Sequence, residues 1–129
     1  MINLYINQRR AADVTILDLK GKLRIGGNAV ALHRSIRSLI LEKKLLIVMN
    51  LTDVTFIDSC GLGELVASQI SAQNKGGEIK LVGLTDALRE LLTVTKLVTV
   101  FDIYDKEADA IESFDSSLAE AGKNTLVFA

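Results

Sequence analysis

The run Leu45-Leu46-Ile47-Val48-Met49-Asn50-Leu51, continuing after Thr52-Asp53 into Val54-Thr55-Phe56-Ile57-Asp58-Ser59-Cys60-Gly61-Leu62-Gly63-Glu64, decides the fold. A nearly unbroken apolar run of this length marks a strand covered on both faces, as in a parallel sheet flanked by helices. This is the expected central strand. Beyond Asp58 the pattern changes to Leu62, Leu65, Val66 and Ile70, a helical face that ends near Gly76-Gly77. A buried strand therefore feeds a helix through a short acidic, hydroxylated, glycine-containing turn. In open α/β sheets, ligands and partners gather at such strand-to-helix ends.

Outward from that core, strands and helices alternate. Residues 2–6 alternate around Ile2, Leu4 and Ile6, and residues 14–20 place Val14 and Ile16 in a second strand ended by Gly21. Gly26-Gly27-Asn28 supply a turn and a candidate cap for a helix over 28–43, whose apolar positions are Leu32, Ile36, Leu39 and Ile40. Downstream, residues 78–82 read as a strand, 86–93 as a short helix around Leu88, Leu91 and Leu92, and 98–104 as strand-like. Ala108, Ile111, Phe114 and Leu118 fit a fourth helix. The sum is an α/β domain: a mixed, mostly parallel sheet of four to five strands with about four helices against it.

Composition narrows the function. The 129 residues are 49% hydrophobic and 24% charged, ordinary globular usage, so one domain with a real core is expected and disorder is excluded. Fifteen basic residues against 16 acidic ones leave a net charge of -1, which argues against a nucleic-acid partner. One cysteine and one histidine exclude a disulfide framework and most metal centres, so no metal and no cofactor is expected. No apolar run approaches the length of a membrane span, and Met1-Ile2-Asn3-Leu4 does not begin a signal peptide. A cytoplasmic location without membrane contact is the expectation.

At the turn, Ser59 or Asp58 can cap the helix, while Gly61 and Gly63 allow a tight backbone and close approach by another molecule. The hydrolase reading fails because a nucleophile elbow needs glycine two residues before the serine and position 57 is Ile, with His33 as the sole imidazole. No Walker P-loop occurs, and Gly61-Leu62-Gly63 lacks the third glycine of a dinucleotide fingerprint because position 66 is Val. Cys60 reads more readily as a small buried residue than as a redox sensor, having no second cysteine with which to pair. No acid–base set for an enzyme is assembled.

Asp58-Ser59-Cys60-Gly61-Leu62-Gly63, preceded by the strand Leu46–Leu51 and followed by a helix, resembles the signature of the STAS-domain anti-sigma factor antagonists. Leu17-Asp18-Leu19-Lys20-Gly21-Lys22-Leu23, Gly76-Gly77-Glu78-Ile79-Lys80-Leu81-Val82 and Leu97-Val98-Thr99-Val100-Phe101 fall in the family's order. The resemblance spans roughly residues 2–117, giving a STAS domain over 1–118. It leaves the tail 119–129 open between a small strand at Leu126-Val127-Phe128 and a loose end. It implies a non-enzymatic switch in a partner-switching pathway of transcription regulation, phosphorylated at Ser59. Unphosphorylated, such a protein binds an anti-sigma factor with serine-kinase activity through Asp58 to Gly63, and a phosphatase resets it. Antagonists of this type carry acidic residues after the second strand where this chain has Lys22 and Arg24, so the local charge of that partner-binding loop is reversed. The rival reading is a STAS-like accessory or scaffold subunit of a transport or stress-signalling complex. Monomer and dimer both stay open.

Overall fold

A computed structural model describes residues 4–24 and 26–114. The chain runs β1 (Leu4–Ala11), β2 (Val14–Leu23), α1 (Gly27–Leu41), β3 (Leu46–Ile57), α2 (Ser59–Asn74), β4 (Glu78–Val82), α3 (Asp86–Val94), a single 3-10 turn (Leu97–Thr99) and β5 (Ile103–Tyr104). Residues 107–114 are helical and form α4. The five strands lie in sequence order, β1 antiparallel to β2 and every other pair parallel. The expected mixed, mostly parallel sheet with four helices is therefore present, with β3 at its centre. The tail 119–129, Ile2 and Leu118 lie outside the described residues.

Alternation along the strands sends neighbouring side chains to opposite faces. Leu17, Leu19, Ile47, Met49, Ile79 and Leu81 join the main core with Leu32, Ile36, Leu65 and Leu92 of the first three helices. Val14, Ile16, Val48 and Val82 point the other way and pack against Ala110 and Phe114 of α4. β3 is thus buried on both sides, the environment its apolar run called for. Lys80 stands on the α4 face, 1% exposed. Its Nζ donates to Ser113 Oγ at 2.6 Å and lies over the Phe114 ring, and the carboxylates of Glu78 and Asp102 stand 3.6 and 3.8 Å away.

Several boundaries differ from the sequence reading, each for a local reason. Gly21 does not end β2: with φ 114 it sits where the ladder with β3 shifts register, and the strand continues through Leu23. Val54 to Ile57 is no separate piece but the end of a 12-residue β3, held there by β2 alone, since pairing with β4 stops at Asn50. The strand-like stretch 98–104 is a 3-10 turn followed by a two-residue strand. Asn28 does not cap α1: Gly26 is the N-cap without a side-chain bond, and Asn28 Nδ2 donates instead to the Lys22 carbonyl at 2.7 Å.

Candidate functional site

The overhang of β3 past β4 carries the Asp58–Gly63 turn to the end of the sheet. Asp58 is the N-cap of α2, and its Oδ1 accepts the Gly61 N–H at 2.8 Å while its carbonyl accepts that of Leu62 at 2.9 Å. The capping reading of Asp58 holds. Its own N–H donates to the Leu23 carbonyl at 3.2 Å, so the turn is fastened to the last residue of β2. Ser59 follows at the first turn of α2 with its side chain exposed.

The two glycines have different work. A Cβ on Gly61 would stand 2.3 Å from the Leu23 carbonyl oxygen, so its lack of a side chain lets α2 rest directly on the β2 backbone. Gly61 is buried, and the close approach it permits is internal. Gly63 is exposed with nothing within 4 Å of a Cβ, leaving the outer surface of the first turn open. Cys60, expected to be buried, is exposed, because the helix turns it outward between buried Gly61 and the cap. Leu62 is half-buried against the main core.

Lys22 and Arg24 come to the same place from a segment more than 30 residues earlier. Lys22 pairs with Phe56 and Leu23 with Ile57, so both basic residues border the end of β3 just before Asp58. Lys22 is exposed and Arg24 half-buried, and among the described residues neither makes an ion pair. The rim thus carries positive charge from Lys22 of β2 and from Arg24 just after it, beside the acidic cap of α2. The first N–H groups of α2 add the positive end of the helix dipole at Ser59.

Two neighbours escaped the sequence reading. Phe56, expected in a buried strand, is 48% exposed and borders a groove of about 150 Å³ shared with Ile57, Thr85, Ala87 and Leu91. Alternation did not signal it, since Phe56 shares a strand face with buried Val54; it is uncovered because it lies past Asn50, where β4 no longer pairs with β3. His33, the sole imidazole, has Nδ1 2.9 Å from Glu64 Oε1, tying α1 to the first turns of α2. No spacing rule announces a contact 31 residues apart. Among the described residues no cluster of three or more His, Cys, Asp or Glu could hold a metal, and no helix is long and apolar enough to cross a membrane.

Comparison with known proteins meets this geometry. The profile of the STAS domain matches residues 5–110. A curated relative, the anti-sigma F factor antagonist of Paenibacillus polymyxa, is 25% identical over 114 residues, 88% of this chain and 97% of its own. The crystal structure of an anti-sigma factor antagonist from Mycobacterium paratuberculosis superposes with a TM-score of 0.74 at 23% identity, covering 85% of this chain and 92% of that one. The Bacillus cell fate determinant SpoIIAA in its phosphorylated form gives 0.68 at 17% identity over 85% and 99%, a likeness of fold.

Proposed function

Given that the chain belongs to the STAS-domain family, we propose that it is an anti-sigma factor antagonist that binds an anti-sigma factor with serine-kinase activity and is released when Ser59 is phosphorylated. The observation that carries the reading is an exposed Ser59 in the first turn of α2, directly after a fastened Asp58 cap and beside an open Gly63 surface. The docking surface comprises Ser59, Cys60, Gly63 and the exposed part of Leu62, bordered by Lys22 and Arg24 and by Phe56, the ladder partner of Lys22. Asp58 and Gly61 serve it from beneath by setting the turn. Lys22 and Arg24 suit acidic groups on the partner.

Phosphorylation adds about 1.5–2 negative charges next to Asp58 and near Glu64. Two unit charges about 5 Å apart interact by roughly 3 kcal/mol at an effective dielectric of ~20 and under 1 kcal/mol in bulk water. A partner that places an acidic group there loses a factor of tens in affinity. The α2 dipole meanwhile stabilises the phosphate within the free protein by about 0.3–1 kcal/mol, so the fold survives while docking fails. The protein acts by binding rather than by turnover, in the cytoplasm, and a phosphatase acting on phosphorylated Ser59 restores the binding form. The nucleotide belongs to the kinase.

The test is capture from lysate of the native host with Ser59→Ala and Ser59→Glu proteins as baits and mass spectrometry of what is retained. A serine kinase held by the alanine form and lost from the glutamate form is the expected result. Equal recovery of transport or scaffold components by both baits overturns the switch and leaves an accessory subunit in which Ser59 only occupies the helix start.

A further inference from the structure

Between α1 and α2 lies a groove of about 300 Å³, at the small end of ligand clefts. Its walls divide by chemistry. Ile36, Ile40 and Leu41 of α1 supply an apolar side, and Leu41 is 73% exposed. Arg37 and Lys75 stand on opposite walls; both are exposed, and among the described residues neither has an ion-pair partner. No aspartate or glutamate lines the groove; nearby, Glu64 is held by the lining His33, and Glu42 follows the lining Leu41.

Ser68 is the second observation. It lines the groove from α2, is 3% exposed, and its Oγ has no hydrogen-bond partner among the described residues. A serine inside a helix ordinarily returns its hydroxyl to a carbonyl one turn back, as Thr93 does to Arg89 and Thr95 to Leu91. Ser68 does not, and an orphaned buried hydroxyl carries a cost in stability that a bound acceptor removes. An apolar wall, two unpaired cations and a spare hydroxyl donor are complementary to one kind of molecule.

We propose that the α1–α2 groove binds a small single-chain anionic amphiphile, its apolar body against Ile36, Ile40 and Leu41 and its carboxylate or phosphate head between Arg37 and Lys75, within reach of Ser68. The site lies on the helix that begins at Ser59 but does not depend on the switch proposed for that residue.

The test is an amide-resolved NMR titration of the full chain with decanoate, decyl phosphate and decanol, each kept below its aggregation threshold. Saturable shifts at Ile36, Ile40, Ser68 and Ser71 with the two anions, and at least tenfold weaker binding of decanol, are expected; the tighter anion names the head group. Arg37→Ala and Lys75→Ala each weaken the anions about three- to tenfold, the loss of one charge-assisted contact at a partly exposed site. Ser68→Ala removes the orphaned hydroxyl, so it raises the melting temperature of the free protein while weakening anion binding. Equal binding of decanol, shifts outside the groove, or anion affinities unmoved by both cation variants would overturn the assignment. So would groove shifts that appear on raising protein concentration alone, which would give the surface to a second copy of the chain.

Discussion

Gly61 and Gly63 look interchangeable in the sequence and are opposite in the structure. At Gly61 a methyl group would meet backbone, which cannot swing aside, so Gly61→Ala is expected to destabilise the protein by about 1–3 kcal/mol in urea titrations. At Gly63 the space is open and the residue is helical, so Gly63→Ala should stabilise by roughly 0.5–1 kcal/mol. A Gly63→Ala protein that is more stable yet docks more weakly would separate the partner surface from the fold. The motif was legible as a set of residue types, and its division of labour was not. Whether a glycine serves a neighbour or a visitor depends on where Leu23 ends, and nothing local to residues 58–64 encodes that.

Between elements, polar side chains do the joining that periodicity hides. Gln69 is fully buried on α2, its Oε1 accepting the Ile79 N–H at 2.8 Å and its Nε2 donating to the Val100 carbonyl at 3.1 Å. That position was missed because a glutamine in an apolar helix reads as the outward face. Ile70, assigned inward by the same count, is 50% exposed. The buried stripe of α1 is apolar after Asn28 at its start, and its reading at Leu32, Ile36 and Leu39 matches the structure. On the opposite face of the sheet, Arg9 of β1 bridges Asp18 of β2 and Glu107 of α4, at 2.6 and 2.5 Å. The Arg9 hydrogen bond, with a smaller one from Asn50, holds the Asp18 carboxyl at about 2, against an ordinary 3.8. A depressed carboxylate stabilises the fold above its unfolded value, and that stability is lost as pH falls through the folded value. The loss should therefore run from about pH 4 to pH 2, on the order of 1 kcal/mol after screening by solvent. Arg9→Ala should flatten that segment of the stability curve in acid denaturation. An unchanged slope would assign the acid sensitivity to other carboxylates.

For the whole molecule, the alternation of strands and helices was readable because each crossover shows both periods in turn, and the central place of β3 followed from its apolar run. The face taken by α4 was not readable, since Ala110 and Phe114 would fit against either side of the sheet. A net charge of -1 means that no strong global field competes with the local one at Ser59. Raising ionic strength from 0.1 to 1 M shortens the screening length from about 10 to about 3 Å. The affinity gap between Ser59→Ala and Ser59→Glu for the captured partner should then narrow several-fold in calorimetric titrations. A gap indifferent to salt would mean that size and desolvation, rather than charge, drive release.

The antiparallel pairing of β1 with β2 has a consequence in time. Ala11 pairs with Val14, so the two strands are joined through Ala12 and Asp13 alone, with Ala12 at φ 53. Hairpins of this kind close in about 1–10 μs, whereas every parallel pair in this sheet must wait for a crossover to be traversed. The N-terminal hairpin is thus able to form first, with one apolar face still bare until α1 and β3 arrive to cover it. The delay before they arrive sets how long a nascent chain presents that face to its neighbours.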